Sequence, residues 1–336
     1  MKYLQRNRRV IVLYTVGIGL LLLCALAGLL IGSSAISPLQ IFRALLGAEG
    51  MEAQRNILLL VRIPRTLAAA VCGAALSVSG AVIQSVLSNS LASPSIIGVN
   101  SGAGLAVTVC AAFGIIGGAT LSLFAFLGAF LAVMLVSLGA RKWGAGKGTV
   151  ILMGVALNSL FGAVADTVTA FSPNISIMNS DFRVGDFSSV SYAQLLPCAV
   201  AVVLSLAVLF ALRNELQILT MGDDNARGLG LNASLMRVIF LLLAAVLAGA
   251  AVSVAGLLSF VGLLVPHGVR RLSGGDSGHT LPLCALFGAV FVALADQLAR
   301  SLLSPYELPV GIFIAFLGAP FFLFILIKGK GGEGDA

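Results

Sequence analysis

The chain has 336 residues, of which 59% are hydrophobic and only 10% are charged. Soluble domains carry about a quarter charged residues, so this composition excludes a water-soluble globular fold. The net charge of +7 comes from basic residues scattered between apolar stretches, a pattern typical of membrane-protein loops rather than of a nucleic-acid-binding face. We therefore expect an all-α, polytopic membrane helical bundle that forms one domain, residues 1–336, surrounded by lipid and with no nucleic-acid partner.

Apolar stretches of the length that crosses a bilayer, about 20 residues, recur along the whole chain. The first follows the basic residues Lys2, Arg6, Arg8 and Arg9. It is too long for the apolar core of a cleaved signal peptide, so we interpret it as a retained span. The third and eighth stretches are short or interrupted by glycine. The ten predicted spans are 10–31, 64–86, 94–112, 118–139, 149–171, 191–211, 236–256, 258–272, 281–303 and 308–328.

An even number of spans places both termini on the same side of the membrane. With the termini in the cytoplasm, most of the 20 basic residues fall on the cytoplasmic side, as the positive-inside rule requires. The arginines that remain outside need a separate explanation; they are Arg43, Arg55, Arg62, Arg65, Arg183 and Arg300.

The predicted spans are rich in small residues, as in GAALSVSG at 73–80, GVNSGAG at 98–104 and GAAVSVAG at 249–256. Small side chains let membrane helices approach one another closely. The pattern therefore predicts a tightly packed bundle, which suits a transporter and an intramembrane enzyme equally well.

Two acidic residues fall inside predicted spans, and an ionisable residue in a membrane is a functional candidate by default. An intramembrane aspartyl protease needs two such carboxylates, one in a Gly-x-Gly-Asp context, whereas Asp166 lies in AVADT and Asp296 in ALADQ. We expect Asp296 to pair with a nearby arginine such as Arg300, one helical turn further on. Asp166 either lines a polar pathway or is paired inside the bundle.

The segment WGAGKGTV at 143–150 is similar to a phosphate-binding loop, but Gly148 follows Lys147 where that motif needs Ser or Thr. We therefore expect no ATP hydrolysis by this chain, no catalytic residue and no cofactor. The five cysteines are far apart in apolar stretches, without metal-ligand or redox spacing. We expect them to pack as small hydrophobic residues and expect no metal site.

Four long segments, in register over almost the whole chain, carry a specific resemblance. They are VRIPRTLAAAVCGAALSVSGAVIQSVLSNSLASPSIIGVNSGAG at 61–104, MGDDNARGLGLN at 221–232, GLLSFVGLLVPHGVRRLSG at 256–274 and the segment from LPLCALFGAV to FFLFIL at 281–326. They resemble the FecCD-type permeases, the membrane subunits of ABC importers for iron-siderophores, haem and cobalamin.

The resemblance implies ten spans per subunit and a position in the bacterial cytoplasmic membrane. It also implies a second permease copy or a paralogous permease around a central pathway, two cytoplasmic ATP-binding subunits, and an extracytoplasmic substrate-binding protein. The expected cargo is an iron-siderophore or related iron chelate, with haem and cobalamin as alternatives. An intramembrane enzyme and a secondary transporter that works without an ATPase remain the alternatives from other classes.

The resemblance further implies roles for residues on both sides of the membrane. On the outer side, Arg62, Arg65 and Arg300 match arginines that pair with glutamates of the binding protein. Arginine offers a planar fork that suits carboxylates, and facing charges speed and orient docking. The alternative is that these arginines anchor helix ends at the membrane interface.

On the inner side, residues 213–231 match the segment that contacts the ATPase. Two adjacent aspartates favour a helix start, because the helix dipole stabilises negative charge there, and such a helix fits a groove of a partner. An ordinary loop is the alternative. The candidate coupling residues are Gly222, Asp223, Asp224, Ala226, Leu229 and Gly230.

A candidate gate lies in SNSLASP at 88–94, where Asn89 and Leu91 match positions that narrow the pathway in the family; Asp166 is the further pathway candidate. His267 belongs to a family motif near the inner surface, and we interpret it as structural. One segment departs from the family pattern: DFRVGDFSSVS at 181–191 lacks the aromatic residue followed by Gly-Ser.

Overall fold

The computed structural model describes residues 2–32, 37–45, 50–115, 117–142, 146–273, 277–303 and 306–330. All regular secondary structure in these residues is helical. A π-helical stretch at Ile57–Arg62 joins α3 to α4 without a break. The helices are α1 (Lys2–Leu30), α2 (Pro38–Leu45), α3 (Glu52–Asn56), α4 (Ile63–Leu87), α5 (Val99–Ala112), α6 (Gly118–Lys142), α7 (Lys147–Phe171), α8 (Pro173–Val184), α9 (Tyr192–Ala211), α10 (Arg213–Thr220), α11 (Asp223–Gly228), α12 (Ala233–Ala255), α13 (Val261–Ser273), α14 (Ser277–Ser301) and α15 (Val310–Lys330).

Each predicted span overlaps one of these helices, and the predicted all-α membrane fold is confirmed. Seven helical segments of the described chain are long and apolar enough to cross a membrane. Helices α5 and α13 are shorter, with 14 and 13 residues. The number of spans, ten, therefore stays a prediction.

Helices α4 and α12 form the centre of the bundle. In each, 72% of the most apolar stretch is buried, against 17% in α1 and 11% in α7. Helix α4 packs against α12, α13 and α14, and α12 packs against α6 and α9. Helices α1 and α7 therefore lie at the rim, with broad faces open to lipid or to another protein.

Pairs of glycines allow the central helices to touch through their backbones. A Cβ added to Gly73 would overlap the carbonyl oxygen of Gly288 on α14, and one added to Gly80 would overlap that of Gly262 on α13. The close packing that the small residues predicted is thus present around α4.

The chain is not helical between α12 and α13. Residues 256–260 form no regular structure, and Gly256 and Phe260 have positive φ values of 69° and 64°. Because Gly262 meets Gly80, which lies seven residues before the end of α4, α13 begins inside the bundle and not at its surface. Such irregular backbone is tolerated at membrane depth only where protein or water satisfies it. Here the amide of Leu257 donates to the carbonyl of Phe182.

The bundle has two ends, named here by the features that they carry. The Arg65 end holds the last turn of α1, the start of α4, helix α8 and the last turns of α14. The α11 end holds the last turns of α4 and α6, the start of α7 and helices α10 and α11.

Candidate functional site

Arg65 is the centre of a buried ion-pair cluster at the Arg65 end. Its Nε lies 3.1 Å from both carboxylate oxygens of Asp296, and an Nη donates to Asp296 at 2.9 Å. Its other Nη donates to Glu307 at 2.6 Å, and Asp186 lies 3.9 Å away. One guanidinium therefore holds three carboxylates from distant parts of the chain.

The register between α4 and α14 explains why these residues meet. The two helices contact each other where Gly73 faces Gly288. Arg65 lies eight residues before Gly73, and Asp296 lies eight residues after Gly288. Because the helices run in opposite directions, both side chains reach the same depth. The glycines that set the distance between the two helices therefore also determine which residues form the ion pair.

Burial makes this pair energetically important. Asp296 is 1% exposed and Arg65 is 5% exposed. The planar fork of an arginine satisfies a carboxylate through two parallel hydrogen bonds. Removing one partner of a buried pair leaves an uncompensated charge, at a cost of about 3–5 kcal/mol.

The other two predicted arginines hold the end of α1. Arg62 donates to the carbonyls of Leu29 at 2.6 Å and Leu30 at 3.1 Å, and Arg300 donates to that of Gly28 at 3.2 Å. The last carbonyls of a helix lack partners within the helix and attract positive charge. Both side chains are 3% exposed, so both act as internal caps in this structure.

The structure thus brings the three predicted docking arginines together, but in buried positions. The expectation that Asp296 pairs with an arginine such as Arg300 is confirmed, and Arg65 is a second and closer partner. Arg300 Nε lies 3.9 Å from Asp296, and Arg65 makes the hydrogen bonds. The reason is that Arg300 reaches across to α1, whereas Arg65 faces α14 directly.

A cavity of about 600 Å³ lies at the same end, between α5, α6, α8, α12 and the start of α15. Its polar lining includes Asn179, Asp181, Asp186 and Ser253. Asp186 belongs to the segment that departs from the family pattern, and its carboxylate joins this cavity to the Arg65 cluster.

At the α11 end, the predicted short helix is present and begins at Asp223. The Asp223 carboxylate accepts hydrogen bonds of 2.8 and 2.6 Å from Arg237 on α12, and this hydrogen bonding holds the pKa of Asp223 below its usual value. Ala226 is fully buried, whereas Asp224 is exposed and Leu229 is 65% exposed. One side of α11 is therefore fixed to the bundle and the other faces outward.

Glycines with positive φ bound this helix on both sides: Gly222 precedes it at 104°, and Gly230 follows it at 81°. Helix α11 ends at Gly228, and Leu229 is its C-cap residue. The exposed leucine thus lies at the tip of the turn and not on a helical face, which differs from the amphipathic helix that the sequence predicted.

The candidate gate segment lies between α4 and α5 and turns back into the bundle. Its first residue, Ser88, is in the left-handed region and accepts a hydrogen bond from Lys147 at 2.7 Å. Asn89 accepts one from the amide of Leu91, whose side chain is 45% exposed. Further along, Asn158 of α7 donates to the carbonyl of Ser95 at 2.9 Å. The segment is therefore attached to α7 at both its ends.

Asp166 lies on the exposed face of α7, and among the described residues it has no hydrogen bond or ion pair. Ser159 and Thr167 are exposed on the same helix. Asp166 and Asp296 therefore lie in opposite surroundings, one exposed and one buried with Arg65. They do not share the environment that a catalytic aspartate pair needs.

All five cysteines are buried and free, as predicted. The sequence reasoning missed four side chains that connect distant elements: Glu307, Asp186, Arg237 and Asn158. The sequence did contain a sign of these contacts, because a polar residue within or beside an apolar stretch needs a polar partner in the folded protein.

The protein is an α-helical, multi-pass membrane protein of the transporter type. Its long apolar helices, the charges buried at both ends of the bundle and the break between α12 and α13 inside the bundle are all typical of this class. Residues 20–328 match the FecCD transport family, and the chain belongs to this family. The resemblance inferred from the four sequence segments is confirmed.

Characterised relatives align over nearly their full lengths. The hemin transport system permease protein HmuU of Yersinia pestis is 36% identical, with coverage of 91% of this chain and 94% of the relative. The Fe(3+)-citrate import system permease protein YfmD of Bacillus subtilis is 34% identical, with 95% and 93% coverage. A solved inward-facing structure of an ABC transporter of metal-chelate type superposes with a TM-score of 0.83 at 30% identity, over 94% of this chain and 99% of that one.

Proposed function

We propose that the chain is the permease subunit of an ATP-driven importer that moves a ferric chelate across the cytoplasmic membrane. The observation that carries this proposal is the fold similarity, at a TM-score of 0.83 over 94% of the chain, to a transporter of metal-chelate type. The ferric-citrate permease and the iron(3+)-hydroxamate permease FhuB of Bacillus subtilis, which is 34% identical over 98% of this chain, support an iron complex as cargo. Haem is the second candidate because the hemin permease is 36% identical.

In this proposal the pathway runs beside α7, between this chain and a second permease subunit. The support is that Ser159, Asp166 and Thr167 are exposed on this helix. A carboxylate that faces lipid within a span is costly, so a water-filled pathway or a protein surface suits Asp166 better. A second copy of the chain or a paralogue supplies the other wall.

The inner gate is proposed at the segment between α4 and α5. Leu91 is exposed at the α11 end, and Asn89 holds the turn that presents it. Apolar side chains from two subunits close a pore by excluding water from a narrow ring. The bond from Lys147 to Ser88 ties this segment to the start of α7, so that a shift of α7 moves the gate.

The proposed partner of α11 is a cytoplasmic ATP-binding subunit, which performs the ATP hydrolysis for this non-catalytic chain. Asp224 and Leu229 face outward for that contact, and the pair between Asp223 and Arg237 links α11 to α12. Because α12 lies at the centre of the bundle, motion of α11 reaches the packed core. In this proposal the α11 end and both termini lie in the cytoplasm.

The Arg65 end is the proposed docking face for a substrate-binding protein. Two carboxylates hold Arg65, and they differ in exposure. The side chain of Asp296 is only 2% exposed, whereas the side chain of Glu307 is 30% exposed. A carboxylate of the binding protein therefore reaches Arg65 by displacing Glu307, while Asp296 stays in place. Arg62 and Arg300 support this face by fixing the end of α1.

Reconstitution in proteoliposomes tests the function. The permease is combined with its ATP-binding subunit and its substrate-binding protein, and uptake of ⁵⁵Fe as ferric citrate, ferric hydroxamate or haem is measured. We expect one of these iron complexes to be taken up. This uptake should require ATP, the permease, the ATP-binding subunit and the binding protein. Uptake without the ATP-binding subunit would identify a secondary transporter instead.

A further inference from the structure

Three arginines meet in a cavity between α1 and α13 at the α11 end. The cavity has a volume of about 570 Å³ and is lined by Arg8, Arg9, Val12, Leu13, Arg271 and Leu272. Among the described residues, its lining holds three positive charges and no carboxylate, and none of the three arginines has a hydrogen bond or ion pair with another described residue. Three unpaired guanidinium groups around one space repel one another, and a bound anion offsets that repulsion.

The rest of the cavity is apolar and opens onto the rim of the bundle. Val12 is 51% exposed and Leu272 is 58% exposed. Beyond the arginines, the exposed apolar face of α1 continues toward the middle of the membrane with Val16, Leu23 and Leu26. The arrangement is therefore a cationic pocket above a long apolar wall, at the depth where a helix passes from headgroups into the acyl chains.

We propose that Arg8, Arg9 and Arg271 bind the headgroup phosphate of an anionic phospholipid, whose acyl chains lie along α1. Guanidinium groups form strong, often bidentate hydrogen bonds with phosphate oxygens. Basic pockets between membrane helices suit such headgroups, and each arginine near an anionic surface contributes about 1 kcal/mol, which corresponds to a factor of about five in affinity. A protein partner fits less well, because the cavity continues into a wall of aliphatic side chains at membrane depth.

Native mass spectrometry of the purified chain in a neutral detergent tests the site, with cardiolipin and phosphatidylcholine as the two probes. We expect one cardiolipin to bind more tightly than phosphatidylcholine. The double variant R9Q/R271Q loses affinity for cardiolipin by about 25-fold, since two arginines are removed at about fivefold each. The single variant R271Q is expected to lose about fivefold in affinity for cardiolipin. It replaces the double variant in this test if the double variant does not fold.

The matched control is R141Q/R213Q, which removes two exposed arginines from the same end of the bundle but none from the cavity. Its affinity for cardiolipin changes by less than about twofold. An equal loss in the control and in R9Q/R271Q would show general charge attraction and would overturn the site.

Two further outcomes would also overturn the proposal. Displacement of cardiolipin by millimolar inorganic phosphate would assign the pocket to a free anion. Unchanged cardiolipin binding in R9Q/R271Q, together with loss of the ATP-binding subunit during copurification, would assign the surface to a protein. The lipid measurement needs neither cargo nor ATP, so its result is independent of the transport function.

Discussion

Arg65 and Asp296 are 231 positions apart in the chain and form a deeply buried ion pair, with hydrogen bonds of 2.9 to 3.1 Å. The pair connects the start of α4 to the last turns of α14. It forms at the end of the bundle where the substrate-binding protein is proposed to dock, and the contact between Gly73 and Gly288 fixes its depth.

Replacing Asp296 by Asn is expected to destabilise the protein by about 3–5 kcal/mol, because Arg65 then loses its buried counter-charge. The measurement is thermal or denaturant unfolding of the purified protein in detergent. R183Q, which removes an exposed arginine at the same end, is the control and stays close to wild type. Equal stability of D296N and wild type would show that Glu307 and Asp186 suffice for Arg65.

Replacing Gly73 by Ala is expected to cost about 1–3 kcal/mol, the usual range for overpacking. The added Cβ meets the rigid backbone of Gly288, so α4 and α14 must separate. Gly104→Ala is the matched control: it lies in helix α5 with open space around its Cα. Since Ala favours a helix by about 1 kcal/mol over Gly, the control is neutral or slightly stabilised. A similar loss of stability in both variants would contradict the close-contact explanation.

Replacing Leu229 by Asp, or Asp224 by Lys, is expected to uncouple ATP hydrolysis from transport while the permease still folds. Both side chains are exposed and make few contacts within this chain. The measurement compares ATPase activity and chelate uptake in the same proteoliposomes, and we expect uptake to fall at least tenfold. Lys142→Gln, at an exposed position at the end of α6 and outside residues 213–231, serves as control. Normal uptake by L229D would move the ATPase contact away from α11.

The attachment of α11 to α12 is expected to depend on pH in the acid range. The hydrogen bonds from Arg237 lower the pKa of Asp223, so they stabilise the fold fully above the ordinary aspartate pKa of about 3.9. This stabilisation is lost as the pH falls through the lowered pKa of the folded state. The protection of the α11 amides, which is the ratio of the intrinsic to the observed rate of hydrogen exchange, should fall only at the acid end when it is followed between pH 7 and 3. D223N should show the faster exchange at every pH.

Replacing Glu307 by Gln is expected to strengthen docking of the substrate-binding protein, because Arg65 becomes available to a carboxylate of the partner. Affinity measured by surface plasmon resonance should rise several-fold, and its dependence on salt should become steeper. Glu52→Gln, at another exposed position of the chain, is the control. A weaker affinity of E307Q would mean that Glu307 itself contacts the binding protein.

The sequence was sufficient to predict the elements whose limits are set by local physics. Helices α6, α7 and α9 begin within two residues of the predicted spans, because bilayer thickness dictates the length of an apolar stretch. The start of α11 at Asp223 was equally predictable, since paired aspartates suit the positive end of a helix.

Contacts between distant elements were not predictable in the same way. The partner of Asp296 depends on the register of α4 against α14, and no local pattern encodes that register. The inward turn of the segment after α4 depends on Asn158, a single polar residue on another helix. The irregular backbone before α13 is stabilised by a hydrogen bond from Leu257 to Phe182, which lies 75 positions earlier in the chain. Each of these features is a property of packing and not of composition.

The distance along the chain between Arg65 and Asp296 also has a consequence for biogenesis. During synthesis Arg65 enters the membrane long before Asp296 has been translated, so it must first remain near the interface, where a long basic side chain keeps its charge in water. Only the arrival of α14 allows this charge to become buried. A nascent chain that stops before α14 therefore lacks Asp296 and Glu307, so Arg65, at the start of α4, has neither of the carboxylates to which it donates hydrogen bonds in the finished protein.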